Sequence, residues 1–217
     1  MIAIIFIIIA ALTIPGLINK TRATIAGRYG PRFFQPLLNT IVLLKKGSTY
    51  STTSTIITEL AAPIYLAALI TAALCIPIGH FEAVISFEGD VILFCSILAL
   101  SRIAMLLAAA DSGSSFQGMG AARDMKYAML GEPALFLLIA TLALITGHYS
   151  FSSIFLAFDN HSANLIVLSM IVGFGIFKLS LAECSRVPID DPKTHLELTM
   201  IHEAMVLDLS EIGRAHV

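Results

Sequence analysis

The sequence predicts an all-α fold, a polytopic bundle of transmembrane helices, and three observations carry that expectation. Of 217 residues, 57% are hydrophobic and only 13% charged, whereas about a quarter of the residues in a soluble domain are charged. Five stretches, residues 2–18, 60–78, 91–110, 131–147 and 165–183, approach the roughly 20 apolar residues that a helix needs to cross hydrocarbon. The loops between them alternate in charge, as loops on opposite sides of a membrane do.

The first stretch lacks a basic segment before its apolar run, and Pro15-Gly16 is not a small-x-small cleavage site. It therefore reads as a retained helix and not as a signal peptide. The first connection carries Lys20, Arg22, Arg28, Arg32, Lys45 and Lys46. Within it, Phe33, Phe34, Leu37, Leu38, Ile41, Val42 and Leu44 recur near helical spacing. Residues 32–44 are thus either an interfacial amphipathic helix or an apolar loop. Residues 47–58, rich in Ser and Thr, read as a polar connector.

The second connection holds Glu82, Glu88 and Asp90 without Lys or Arg; the third holds Arg123 and Lys126. The fourth, residues 147–164, has no Lys or Arg, and the segment after the fifth span has Arg186 and Lys193. The positive-inside rule then places the N-terminus outside and the first, third and last connections in the cytoplasm. Residues 1–210 form one membrane domain on this reading, with a sixth helix starting near 196–210.

Several function classes are excluded. A formal net charge of −2 offers no basic face for nucleic acid. Cys75, Cys95 and Cys184 are far apart, so they form no zinc, disulfide or iron–sulfur set. His202-Glu203 lacks the second histidine of a zinc protease, because position 206 is Val. The glycine-rich segment at residues 111–124 lacks the Lys-Ser/Thr ending of a phosphate loop and reads as a cytoplasmic docking loop with tight turns. No histidine falls inside a span, so a haem bundle lacks its ligands. No internal repeat supports an independent secondary transporter, which remains the rival reading from another class.

Charges inside spans need a reason, since one at mid-bilayer costs about 2.5–3.5 kcal/mol on insertion scales. Arg102 lies in the third span, Lys178 in the fifth, and Glu183 ends the fifth. Glu132 opens the fourth beside Pro133, where it is expected to meet the helix N-terminal dipole. These charges are either structural ion pairs with snorkelling of Arg102 and Lys178, or a polar path whose carboxylates relay protons. After the fifth span, Glu183 and Arg186 are spaced for pairing, and Pro188 and Pro192 stop the helix. Beyond them, His195, Thr199 and His202 share a face of a further helical pattern, with Glu197 and Glu203 around its sides.

Two long motifs carry a resemblance. One is Asp111-Ser112-Gly113-Ser114-Ser115-Phe116-Gln117-Gly118-Met119-Gly120 with Arg123-Asp124-Met125 and Gly131-Glu132-Pro133-Ala134-Leu135. The other is Ala182-Glu183-Cys184-Ser185-Arg186-Val187-Pro188-Ile189-Asp190-Asp191-Pro192, continued by Thr194-His195-Leu196-Glu197-Leu198-Thr199-Met200-Ile201-His202-Glu203. With Gly27-Arg28-Tyr29-Gly30-Pro31 and Gln35-Pro36-Leu37-Leu38, they resemble the membrane-anchor subunit of energy-converting NiFe hydrogenases and formate hydrogenlyases, within the family of complex I subunit 1. The segment Asp190-Asp191-Pro192 with Thr194 to Leu198 looks more like the hydrogenase branch than the quinone-binding complex I branch. The chain departs from the family pattern at Ala26, Tyr29 and Gly131, where relatives often carry polar or basic residues at the first two and Ala at the third.

The resemblance implies an eight-helix fold in the cytoplasmic (inner) membrane of a prokaryote, and therefore a truncated chain here. It implies partners: hydrogenase small and large subunits on the cytoplasmic side, and antiporter-like subunits in the bilayer. The NiFe centre and iron–sulfur clusters are expected in those partners, with no cofactor, metal or catalytic residue in this chain. Carried over by motif, Glu132, Glu183, Asp190, Asp191, Glu197 and Glu203 are the ion-coupling candidates. Arg102, Arg123, Lys178 and Arg186 are the counter-charge or docking candidates.

Residues 211–217, Glu211-Ile212-Gly213-Arg214-Ala215-His216-Val217, resemble the translation of a common sequencing-library adapter and are expected to be a non-native tail. A contiguous read of the source DNA should leave this sequence near Ser210 and continue into three more apolar spans; a stop codon after Val217 in that read would refute the expectation.

Overall fold

The computed structural model describes residues 2–45, 54–78, 82–158, 163–183 and 205. The chain divides into two units, one containing residues 1–50 and the other residues 51–208.

The first unit contains α1 (Ile2–Ile25) and α2 (Gln35–Leu44). α1 runs through Pro15 and stops at Gly27, which adopts a left-handed φ of 67°. The Gly27 N–H donates to the Thr24 carbonyl and the Arg28 N–H to the Ala23 carbonyl, the paired bonds that satisfy a helix C-terminus ending in glycine. Gly16 is buried, and a Cβ there would run into the Phe33 carbonyl. Of the two readings of residues 32–44, the structure has the helix, α2, with Pro36 in its first turn.

The second unit contains α3 (Ile56–Leu74), α4 (Asp90–Asp111), α5 (Ser115–Thr146), α6 (Phe151–Ala157) and α7 (Ala163–Glu183). α3 packs against α4, α4 against α5, and α5 against both α6 and α7. Among the described residues, four helices are long and apolar enough to cross a membrane: Ile56–Leu74, Asp90–Asp111, Ser115–Thr146 and Leu165–Glu183. The large apolar side chains face outward, with Leu144, Leu130 and Met170 each at least 70% exposed. Their partners in a membrane are lipid tails, so helix association must rest on close packing and polar contacts.

Both devices are present. α3 and α4, which pack together, bury small residues: Ala61, Ala62, Ala68 and Ala72 on one helix and Ser101, Ala104, Ala108 and Ala109 on the other. At one end of this pair Asp111 accepts from the Thr55 N–H at 2.8 Å, the Thr55 hydroxyl at 2.7 Å and the Thr58 hydroxyl at 2.7 Å. Thr55 also caps α3, so the helix starts at Ile56, four residues before its apolar run.

The larger departure from expectation is α5. The glycine-rich segment expected as a loop is helical from Ser115, and only Gly113 in it has a positive φ. Gln117, Gly120, Ala121, Asp124 and Ala128 are buried at helical spacing, so this segment has a face to pack. That packing outweighs the cost of about 1 kcal/mol per helical glycine. At 1.5 Å per residue α5 is about 48 Å long, more than the ~30 Å hydrocarbon core. Glu132 is therefore inside a helix and not at its N-terminus, and the expected contact with the helix dipole is absent. The helix continues past Pro133 at the loss of one backbone bond.

At the opposite end of the unit, Asp90 is fully buried. It accepts from the Ser150 hydroxyl at 2.7 Å and the Phe151 N–H at 2.9 Å. Its carboxylate thus meets the N-termini of both α4 and α6, where negative charge is favoured. Beside it, Val91, Ile139, Ala143 and Ile154 form an apolar cluster, with Phe94 and Phe151 edge-to-face at 5.3 Å. Asp90→Ala removes the acceptor of the Ser150 hydroxyl and the Phe151 N–H and should cost about 2 kcal/mol, read as a lower thermal unfolding midpoint of the detergent-purified protein. Asp90→Asn, which keeps one acceptor oxygen, should recover part of the loss.

Candidate functional site

Three helices of the second unit bring charge to one point. Arg102 stands midway along α4, Asp124 and Glu132 lie two turns apart on α5, and Glu183 ends α7. The Arg102 Nη2 is paired with the Glu183 Oε2. Its Nε lies 3.6 Å from the Asp124 Oδ2, and its Nη1 lies 3.8 Å from the Glu132 Oε1. Nη1 is buried and makes no hydrogen bond. The guanidinium is thus committed to Glu183, with two more carboxylates at ion-pair distance but beyond hydrogen-bond reach.

Burial grades the cluster. The Arg102 side chain is 12% exposed and Asp124 7%, whereas Glu132 is 39% and Glu183 43%. Antiparallel register explains the convergence: Gly131 of α5 stands beside Glu183 of α7, and Leu138 stands beside Gly175 two turns further along. Both glycines let the helix backbones approach. A Cβ on Gly175 would sit 3.0 Å from both Leu138 methyl carbons.

The candidates named from the sequence fall into three groups. Arg102, Glu132 and Glu183 are brought together. Arg123 is half-buried on α5 outside the cluster. Lys178 is exposed, its Nζ 5.5 Å from the centroid of the Phe174 ring one turn back along α7, a cation–π contact on an outer face. Arg186, Asp190, Asp191, Glu197 and Glu203 lie outside the described residues. Asp124 was not singled out as a coupling residue from the sequence. Its signal was the seven-residue spacing from Gln117, legible only once the segment is taken as helix. Gln117 is 1% exposed and its Nε2 makes no hydrogen bond.

Among the described residues no group of three His, Cys, Asp or Glu side chains is arranged to hold a metal ion. What the cluster does is gather charge among apolar helices: one guanidinium balances one carboxylate, and three carboxylates stand around it.

Arg102→Ala should leave these carboxylates without a counter-charge and lower stability by roughly 2 kcal/mol, below the 3–5 kcal/mol of fully buried pairs because two of the acids are partly open. Arg102→Lys should recover part of the loss, since a lysine keeps the charge without the fork. Unfolding of the purified protein in detergent measures both.

The chain and its fold have counterparts. The family model for NADH dehydrogenase matches residues 1–203. Hydrogenase-4 component C of Escherichia coli (strain K12) is 30% identical over 186 residues, 84% of this chain and 58% of that protein. Formate hydrogenlyase subunit 4 of the same organism is 27% identical over 139 residues, 64% of this chain and 45% of that protein. NADH-ubiquinone oxidoreductase chain 1 of Chondrus crispus is 27% identical over 83% of this chain and 57% of its own length. The chain thus spans about half the length of these curated relatives. Among solved structures, a chain of the membrane-bound sulfane sulfur reductase, an archaeal respiratory membrane complex, superposes with a TM-score of 0.71 at 22% identity, covering 99% of this chain and 73% of that one. With helices built for a bilayer and a family match over nearly its whole length, this chain is a membrane protein belonging to the NADH dehydrogenase family, the family of complex I subunit 1.

Proposed function

We propose that the chain is the membrane-anchor subunit of an energy-converting hydrogenase or formate hydrogenlyase complex, coupling electron transfer in a cytoplasmic module to proton or sodium movement. The observation that carries this reading is the convergence of Asp124, Glu132 and Glu183 on the single guanidinium of Arg102, across three helices. A purely structural anchor needs one acid to neutralise Arg102. Three acids, two of them more than a third exposed, supply groups that take up and release charge when a neighbouring redox event changes the local field. The 30% identity to a hydrogenase-4 component supports the hydrogenase branch.

On this reading the hydrogenase small and large subunits dock on the cytoplasmic side, and antiporter-like subunits lie beside the chain in the bilayer. The NiFe centre and iron–sulfur clusters reside in those partners, and this chain contributes no catalytic residue. The charge alternation of the loops supports an inner-membrane orientation with the N-terminus outside. The positively charged stretch from Lys20 to Arg32 then faces the cytoplasm. A second reading, the quinone-site subunit of respiratory complex I, draws on the similarity to NADH-ubiquinone oxidoreductase chain 1. A quinone-reductase activity in the assembled complex would favour it.

Glu183→Gln keeps the side chain's size and removes its charge. It should leave assembly intact and reduce redox-coupled ion movement in membrane vesicles by roughly tenfold or more, the scale of a lost proton-transfer group. Coupling equal to that of the unaltered complex would favour a purely structural anchor.

A further inference from the structure

We propose that the first unit is a contact for anionic phospholipid: the basic end of α1 and the segment returning along it hold phosphate head groups, while α2 lies against the acyl chains. The inference does not depend on the coupling reading; it needs only that the chain lives in a membrane. Residues 1–58 contain six Lys or Arg and no Asp or Glu, the first acid being Glu59. Lys20, Arg22, Arg28, Arg32 and Lys45 are all exposed. Among the described residues the ion pairs are those of Arg102, so these five cations are left to an outside partner.

Packing puts the cations of α1 and the returning segment in one layer. The apolar run of α1 ends at Ile18. Lys20 and Arg22 stand about 3 and 6 Å beyond it along the helix axis, within a head-group layer of about 5–8 Å. After the turn at Gly27 the chain comes back along α1. A Cβ on Gly30 would stand 2.6 Å from the Ala23 Cβ and 3.6 Å from the Lys20 Cα, and one on Gly16 would run into the Phe33 carbonyl. Arg28 and Arg32, two residues either side of Gly30, are thereby brought to the level of Lys20 and Arg22, and Phe33 to the last apolar turn.

α2 starts two residues after Phe33, at that boundary. Its 10 residues reach about 15 Å, about half the hydrocarbon thickness, so it does not cross. Leu38, Ile41 and Val42 share an arc of about 100° and are 42–55% exposed. A short helix with an open apolar arc beside unpaired cations is the geometry of an interfacial anchor, the arc at the acyl boundary and the charge on phosphates. An acidic protein surface would answer the cations and leave the arc uncovered; an anionic lipid answers both with one molecule.

The test reconstitutes the full chain in phosphatidylcholine vesicles with a trace of spin-labelled phosphatidylglycerol or spin-labelled phosphatidylcholine, and reads the motionally restricted lipid by electron paramagnetic resonance. The unaltered chain should prefer phosphatidylglycerol by about fivefold, the scale of one well-placed basic residue. About 1 M salt, where the Debye length is about 3 Å, should erase the preference. Arg22→Gln, Arg28→Gln and Arg32→Gln together should bring the ratio close to one, whereas Lys126→Gln, an exposed cation of the second unit, should leave it unchanged. For α2, a fluorophore on Ile41→Cys, in a background of Cys75→Ser, Cys95→Ser and Cys184→Ser, should be quenched by brominated acyl chains several-fold more than one on Asn39→Cys. A ratio near one for the unaltered chain would overturn the proposal and leave the cations to an acidic protein. So would a preference that survives the triple substitution, an equal loss from Lys126→Gln, or equal quenching at positions 39 and 41.

Discussion

A guanidinium does not shed its proton at any pH a cell reaches, so Arg102, placed midway along an apolar helix, has to be matched by acids from its neighbours or reach water. At 12% side-chain exposure it is largely buried, and the carboxylates come to it from α5 and α7. This one requirement sets much else in the second unit. It aligns Asp124 with Arg102 across the antiparallel α4–α5 pair. It brings Glu183 of α7 beside Gly131 in the interior of α5.

The rest of the packing follows from the solvent. Lipid offers no hydrophobic gain for bringing helices together, so contact depends on how closely backbones approach and on polar groups that have no better partner. Alanine and serine make up most of the buried residues of α3 and α4. Two aspartates close opposite ends of the unit. Asp111 gathers the first turn of α3 through Thr55 and Thr58, and Asp90 ties the start of α4 to the start of α6. Neither belongs to the charged cluster, and each fixes the helix register on which the cluster depends.

The helices were legible to different degrees. The expected fifth span, residues 165–183, falls within α7, whose described residues are long and apolar enough to cross a membrane, because an apolar run of that length is read directly from composition. α3 and α4 began or ended within a few residues of their runs, with Thr55 capping the start of α3 and Gly89 at a positive φ before α4. α5 was misjudged over its first four turns. Glycines and polar residues at 113–124 read locally as a turn, whereas the buried face formed by Gln117, Gly120, Ala121, Asp124 and Ala128 is a tertiary fact.

Residue order alone was enough to assign an all-helical membrane chain, the number and rough position of its apolar runs, and the presence of charges that hydrocarbon would not tolerate unpaired. Those conclusions rest on transfer free energies, which depend on local composition. Which charges meet could not be read the same way. Lys178 and Glu183 are five residues apart on one helix, yet one faces outward over Phe174 and the other meets Arg102. Asp124, the most buried acid of the cluster, lay in a segment read as loop. Pairing of this kind depends on the register between helices. Register is set by contacts such as Gly131 with Glu183 and Gly175 with Leu138, which join residues 52 and 37 positions apart, so no local pattern in the sequence contains it.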